Sequence, residues 1–218
     1  ADAAFYFAQT VENEEMPLEM MAKLWENGDC RIVALSGYEG QNNPPVIVHG
    51  FNTSRKKMIE LGVPASCIVK IALDPTLLPS TDAEARGLIP YAEKQGWKKI
   101  LLVTPPLHQF RAFISTVSVI IRRESDVQVY STPSKTPFWR TTVVHSATSP
   151  RAKRSELLLN EFEKIERYYS GGDLVSAESA ALVKEYKTIR KELGAYNKEL
   201  LKKKEYLFLT KSDTVDKA

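Results

Sequence analysis

The residues of this sequence best suited to chemistry on an anionic ligand are a histidine and an arginine three positions apart. His108 and Arg111 follow an apolar run that ends at Thr104, and their spacing places both side chains on one face of a helix. Because a helix N-terminus favours an anion, Arg111 and the helix start at Thr104 predict a phosphate or carboxylate site, with His108 as general acid or base. In the alternative interpretation, Arg111 pairs with a loop acid and His108 caps a neighbouring strand.

A second polar group lies at Thr81-Asp-Ala-Glu84. Its spacing is that of a capping box, in which hydroxyl and carboxylate bind free amides at a helix start, and this role explains both residues without a ligand. If the group belongs to the site, Thr81 binds the ligand and Glu84 orients His108 or acts as a second base. A divalent metal held by Glu12, Glu39 or Glu84 stays open, although no spacing supports it.

The elements that must position these residues alternate regularly along the chain. Short apolar runs at 3–10, 31–36, 67–71, 99–104 and 127–130 predict strands, and helical patterns lie between them. This alternation predicts right-handed crossovers and a doubly wound, mostly parallel five-stranded sheet of Rossmann-like α/β type, in the order 3-2-1-4-5. The stretch that follows the second strand, as far as Pro45, is predicted to be a loop.

Ligands of open α/β sheets bind outside the carboxyl ends of the strands. In this sequence polar residues follow the first, second and fourth predicted strands, so we expect a crevice there. The candidate ligand-binding residues are Gln9, Thr10, Ser36, Gly37, Thr81, Thr104 and Arg111, and the candidate catalytic residues are His108 and Glu84.

The sequence pattern changes near residue 150, from alternating strands and helices to long helices. Long amphipathic helices are predicted at 151–169 and 176–207, separated by Gly171-Gly172-Asp173. We therefore expect a Rossmann-like domain over 1–149 and a C-terminal helical extension over 150–218, which packs on the sheet or protrudes as a hairpin. Such helices leave open a non-catalytic interaction protein that binds a partner or self-associates through them.

Several familiar sites have no signature here. The sequence contains no GxGxxG, no P-loop and no nucleophile elbow. Cys30 and Cys67 lack the spacing of a metal or redox motif. His49 and His145 are isolated, and we interpret them as ordinary surface or loop histidines.

Composition places the chain among ordinary globular proteins. Of its 218 residues 43% are hydrophobic and 26% are charged, and the formal net charge of +3 does not favour nucleic acid as a partner. No apolar run approaches the roughly 18 residues of a membrane span, and no signal peptide is recognisable. We expect a cytoplasmic protein.

Four short pieces carry a resemblance to a known family. They are Asp2-Ala-Ala-Phe5, Ser36-Gly37, Gly62-Val-Pro64 and the block Leu101-Leu-Val-Thr-Pro-Pro-Leu-His-Gln-Phe-Arg-Ala112. Together they resemble the YdcF/SanA/ElyC family, whose signature LVTS..H..RA is similar to the last piece. The segment at Thr81 lies where that family has an NT.EN motif, and it keeps the threonine and glutamate but neither asparagine. The resemblance covers about residues 2 to 135.

The resemblance implies a Rossmann-like domain with a pocket lined by Thr81, Glu84, Thr104, His108 and Arg111. It does not imply one reaction, since members have been linked to S-adenosylmethionine and to cell-envelope and lipid-carrier metabolism. The sequence thus predicts a small-molecule binding protein or enzyme for a phosphorylated or nucleotide-like ligand. An S-adenosylmethionine-binding protein is the alternative, although the loop at 9–15, which would lie under that ligand, contains no glycine.

Overall fold

Five parallel strands form the central sheet in a computed structural model that describes residues 1–77, 79–135, 138–146 and 151–176. The strands are β1 (Ala3–Tyr6), β2 (Ile32–Ser36), β5 (Ile68–Ile71), β6 (Lys99–Val103) and β7 (Gln128–Ser131). Their order is β5-β2-β1-β6-β7, and every neighbouring pair is parallel. The predicted fold class and strand order are confirmed.

Helices cover both faces of this sheet. They are α1 (Glu15–Glu26), α2 (Phe51–Glu60), α3 (Thr81–Gln95), α4 (Pro106–Arg122) and α5 (Arg154–Ser170). Successive side chains of a strand point to opposite faces, so Phe5 joins a core with α3 and α4, whereas Tyr6 joins a core with α1 and α2. Burial on both faces explains why the strands read as unbroken apolar runs.

Helix α4 is enclosed by its neighbours. Every residue from Pro106 to Ile120 is buried, because the helix contacts the sheet, α3 and α5. α5 therefore packs on the Rossmann-like part of the molecule. The other predicted C-terminal helix, 176–207, lies almost wholly outside the described residues.

A hairpin stands at the carboxyl edge of the sheet. Strand β3 (Gln41–Asn43) pairs antiparallel with β4 (Val46–Val48). β3 lies in the stretch that was predicted to be a loop as far as Pro45, so that prediction was wrong. An isolated bridge joins Thr10 to Val48 and ties the hairpin to the segment after β1. A second small sheet pairs β8 (Thr142–Val143) with β9 (Ala152–Lys153).

The start of α3 differs from the prediction by one residue. Ser80 is the N-cap, and its hydroxyl accepts a hydrogen bond from the Ala83 amide at 3.1 Å. Thr81 is already helical, and Glu84 accepts from the amide of Ala8 instead of the N-cap amide. The predicted capping box is wrong, because the neighbouring serine takes the capping position.

The start of α4 also differs. The helix begins at Pro106 with Pro105 as N-cap, so the predicted helix start at Thr104 was wrong. A residue before proline avoids the helical region, and Pro105 accordingly has extended backbone angles of φ −59° and ψ 146°. The Thr104 hydroxyl instead donates to Gln109 Oε1 at 2.6 Å.

Two further element boundaries differ from the prediction. The first strand was predicted to reach Thr10 but ends at Tyr6, and the helix predicted from residue 151 begins at Arg154. Within the described part of the chain, no helix has the length and apolar character needed to cross a membrane.

Candidate functional site

A cavity of about 420 Å³ opens at the carboxyl ends of the strands, where the sequence predicted a crevice. Its walls come from the segment after β1, the β3–β4 hairpin, the first turns of α3 and α4, and one face of α5. Small-molecule sites typically measure about 300 to 1,000 Å³, so the cavity has the size of a ligand pocket.

Gln9 and His108 begin a buried chain of hydrogen bonds along this cavity. Gln9 Nε2 donates to the Phe7 carbonyl at 3.2 Å, which fixes the orientation of the amide, and lies 2.7 Å from His108 Nδ1. Nδ1 must then accept, so the proton of His108 is on Nε2, which lies 3.1 Å from Thr81 Oγ1. Both ring nitrogens are engaged, and this geometry favours a positioning role over the predicted acid–base role.

The Thr81 hydroxyl receives two hydrogen bonds. His108 Nε2 donates one and Arg111 Nη1 donates the other. A hydroxyl has two acceptor positions and one proton, and among the described residues this proton has no acceptor. Because Thr81 lines the cavity, its hydroxyl is available to donate to a ligand.

Arg111 belongs to a buried charge cluster with α5. Its Nε donates to Glu161 Oε2 at 2.6 Å, and Lys164 Nζ donates to Glu161 Oε1 at 2.9 Å. His145 Nε2 lies 3.1 Å from the same Oε1. Burial raises the pKa of Glu161, but Arg111 and His145 outweigh this effect and hold the pKa well below 4.5. Arg111 and Lys164 thus share the ionised carboxylate of Glu161.

Glu84 contributes a carboxyl group of altered acidity to the cavity. Burial raises the pKa of its carboxyl group from 4.5 to about 7, although the Ala8 amide, the Ser36 hydroxyl and Arg111 act in the opposite direction. Its Oε1 accepts from the Ala8 amide at 2.8 Å. A group that titrates near neutral pH is suited to take or give a proton during a reaction.

The structure brings together six of the nine predicted site residues. Cavity-lining residues include Gln9, Thr10, Thr81, Glu84, His108 and Arg111.

The other three, Ser36, Gly37 and Thr104, do not line the cavity and have structural surroundings. The Ser36 hydroxyl accepts from the Tyr38 amide at 3.3 Å and helps to lower the pKa of Glu84. At Gly37 an added Cβ would lie 2.4 Å from the carbonyl oxygen of Ile71, so close strand packing requires a glycine. The bond between Thr104 and Gln109 holds the segment before α4 in place.

The main residues that sequence reasoning missed come from the C-terminal part. His145 was interpreted as an ordinary surface or loop histidine. It does lie in a loop, but it is 6% exposed and lines the cavity, so it is not a surface residue. Burial lowers its pKa below 6.5. A signal for the α5 residues was present: Arg154, Leu157, Glu161 and Lys164 are buried and share one helical face. Charged residues on a stripe that should be apolar indicate a buried polar cluster.

The start of α4 contributes little to anion binding. Pro105 and Pro106 carry no N–H group, so the helix start lacks two of the amides on which the predicted anion site relied. Positive charge at the cavity comes instead from the side chains of Arg111 and Lys164.

A metal centre has no support in the described residues. They contain no group of three or more His, Cys, Asp or Glu side chains placed to hold an ion. Of the carboxylates considered, Glu12 pairs with Arg151 at 2.7 Å and Glu39 pairs with Lys70. Glu12, Glu39 and Glu84 therefore have separate partners.

Comparison of the sequence with models of protein families gives no match, and no curated protein matches it significantly. The resemblance to the YdcF/SanA/ElyC family rests on its short motifs alone. The chemistry of the site must therefore be inferred from its geometry.

Proposed function

We propose that this chain binds a small phosphorylated, nucleotide-like molecule in the cavity and that Glu84 exchanges a proton with it. The observation that carries the proposal is the pair of cations that lines the cavity, Arg111 and Lys164, which share the single carboxylate of Glu161. With a pKa of about 7, Glu84 is only partly ionised at neutral pH. Positive charge in a recessed site attracts an anion.

Hydrogen-bond donors point to the same class of ligand. The Thr81 hydroxyl has no acceptor among the described residues, and Nη2 of Arg111 has no hydrogen-bond partner among them. Guanidinium and hydroxyl groups together suit the oxygens of a phosphate, which only accept when ionised. The site therefore favours an acceptor-rich ligand over a cationic one such as the sulfonium of S-adenosylmethionine.

The apolar and aromatic part of the cavity wall is suited to a ring. Val46, Val48 and Leu73 supply apolar surface, and Tyr38 supplies an aromatic side chain whose hydroxyl donates to Gln41 Oε1 at 3.2 Å. Apolar walls with a few placed polar groups are typical of sites that orient a ring system. This wall supports the nucleotide-like part of the proposal.

The test is calorimetric titration of the full chain with nucleoside monophosphates, sugar phosphates, a polyprenyl phosphate and S-adenosylmethionine. We expect at least one phosphorylated class to bind. Replacing Arg111 by lysine keeps the charge but removes the planar fork, and should weaken that binding about tenfold or more. Circular dichroism checks that the variant is folded.

Arg123→Ala is the matched control, because Arg123 pairs with Glu93 at the far end of α4. It should leave affinity unchanged. Failure of every phosphorylated compound to bind contradicts the proposal, as does equal affinity in wild type and Arg111→Lys. Binding of S-adenosylmethionine alone favours the methyl-donor alternative.

A further inference from the structure

A smaller cavity of about 260 Å³ adjoins the first. The two cavities share the wall residues Ser80, Thr81, Arg111 and Tyr168. The smaller one lies below the range of about 300 to 1,000 Å³ that is usual for separate ligand sites. Its size suits one end of a ligand whose other end occupies the larger cavity.

Ser115 gives the smaller cavity a hydroxyl group that no described residue binds. It lies one helical turn after Arg111 on the same face of α4, is 2% exposed and lines this cavity. Its hydroxyl has no hydrogen-bond partner among the described residues. Two nearby hydroxyls of α4 behave differently: Thr116 donates to the Ala112 carbonyl at 2.8 Å and Ser118 to the Ile114 carbonyl at 2.7 Å. The Ser115 hydroxyl can therefore donate to or accept from a ligand in this cavity.

The rest of the wall indicates what kind of group binds there. Asp82 and Asp173 contribute carboxylates, and Leu77 and Leu174 contribute apolar surface. Asp82 Oδ2 pairs with Arg86, whereas the buried Oδ1 has no hydrogen-bond partner among the described residues. Carboxylates accept hydrogen bonds from hydroxyl groups and repel a second phosphate. The smaller cavity therefore suits a neutral group that carries hydroxyls, such as a sugar.

We propose that the ligand has two parts joined by a phosphodiester or diphosphate, with the linking phosphate on Arg111, the nucleotide-like part in the larger cavity and a neutral, hydroxyl-bearing group in the smaller one. The inference rests on the proposed function and adds the class of ligand. Arg111 is placed to contact the link, since it is the cation among the four residues that border both cavities.

The experiment compares one-part and two-part probes on the full chain. Calorimetry with adenosine monophosphate against ADP-ribose, and with uridine monophosphate against UDP-glucose, should show about tenfold tighter binding of at least one two-part probe, as one added charge-assisted hydrogen bond provides. Ser115→Met fills the smaller cavity and should remove this gain without weakening the monophosphate. Ser115→Ala keeps the space and should lose part of the gain.

Ser66→Met is the matched control, because Ser66 is exposed and distant from α4, and it should alter neither affinity. Equal affinity for one-part and two-part probes overturns the inference and leaves the proposed function intact. An equal loss for both probes in Ser115→Ala also overturns it. Failure of all four probes to bind overturns the inference. The proposed function fails with it only when the sugar phosphates and the polyprenyl phosphate do not bind either.

Discussion

Gln9 Nε2 lies 2.7 Å from His108 Nδ1, and this bond determines which nitrogen of His108 carries the proton. The orientation of the Gln9 amide is set in turn by the Phe7 carbonyl. The proton on Nε2 then determines how the Thr81 hydroxyl is used: it accepts from His108 and has its own proton left for a ligand. One amide side chain of the β1 loop thus arranges the donors of the cavity.

We predict that His108 stays neutral, with its proton on Nε2, at pH values where an exposed histidine is charged. Burial is the largest cause that lowers its pKa well below 6.5, and Arg111 adds to it. Nitrogen-15 correlation spectra of the imidazole should show this tautomer at pH 6. Gln9→Glu places a carboxylate beside Nδ1 and should raise the pKa of His108. A wild-type His108 that titrates near 6.5 contradicts the assignment.

A second prediction concerns the pH dependence of stability that Glu84 causes. Its pKa is raised from 4.5 to about 7 on folding, so the folded state binds more protons between these pH values. The contribution of Glu84 is fully present below pH 4.5 and is lost as pH rises through about 7. Glu84→Gln mimics the protonated form and should be more stable than wild type at pH 8, by at most about 3 kcal/mol. Urea unfolding at pH 5 and pH 8 measures the difference.

Wild type and Glu84→Gln should have similar stability at pH 5, which serves as the internal control. His108 and His145 oppose the Glu84 effect in wild type, because their lowered pKa values cost stability as pH falls below 6.5. The comparison of two variants at each pH removes this shared contribution. An equal free-energy difference at both pH values contradicts the raised pKa of Glu84.

The strand order could be predicted from sequence because each strand is a short run buried on both faces, separated from the next by one helix. The exact helix starts could not be predicted, because neighbouring residues suit the same capping position. Ser80 and Thr81 can both cap a helix, and only the backbone shows that Ser80 does so. Pro105 and Pro106 can both occupy the first position of a helix, so the sequence did not show at which of them α4 begins. Boundaries decided by one residue depend on tertiary contacts that sequence patterns do not record.

The site could be predicted only in part, for a related reason. Ligands of open α/β sheets bind at the carboxyl ends of the strands, and the sequence places four of the cavity residues after such ends: Gln9, Thr81, His108 and Arg111. Glu161 reaches Arg111 across 50 positions of sequence, through a helix whose packing had been left open. No spacing rule connects residues so far apart, although the charged residues on the buried face of α5 gave a usable signal.

The third prediction tests the position of the α3 cap. Ser80→Ala removes the acceptor of the Ala83 amide and should lower the free energy of unfolding by about 1 kcal/mol. Ser66→Ala, at an exposed serine that caps no helix by its side chain, should change it by less than about 0.5 kcal/mol. Equal effects of the two substitutions, measured by urea titration, count against the assigned cap.

The fourth prediction separates packing from binding at Gly37. An added Cβ would meet the Ile71 carbonyl at 2.4 Å, so Gly37→Ala should cost about 1 to 3 kcal/mol of stability. Gly171→Ala is the control, because its Cβ would come no nearer than 3.4 Å to any atom and its φ is −77°. Thermal unfolding should show a lower midpoint for the first variant only. Unchanged stability of Gly37→Ala would remove the packing explanation for this glycine.

The fifth prediction follows from the position of Glu161 between Arg111 and Lys164. Glu161→Gln leaves two buried cations without their carboxylate, and breaking a buried ion pair in this way typically costs about 3 to 5 kcal/mol. Glu163→Gln changes an exposed position of the same helix and should be nearly neutral. Urea unfolding at pH 7 compares the two variants with wild type.

The same pair of variants tests the pH dependence of the cluster. The pKa of Glu161 is held well below 4.5 in the folded protein, so its stabilising contribution is present above pH 4.5 and is lost as pH falls through the lower, folded value. The difference in free energy of unfolding between wild type and Glu161→Gln should therefore become smaller in acid. The difference between wild type and Glu163→Gln should not change with pH. A difference for Glu161→Gln that is constant with pH would mean that the carboxylate charge does not hold α5 against α4. A difference in free energy of unfolding that narrows as expected would show that the cations we assign to the ligand also hold the C-terminal helix at the site.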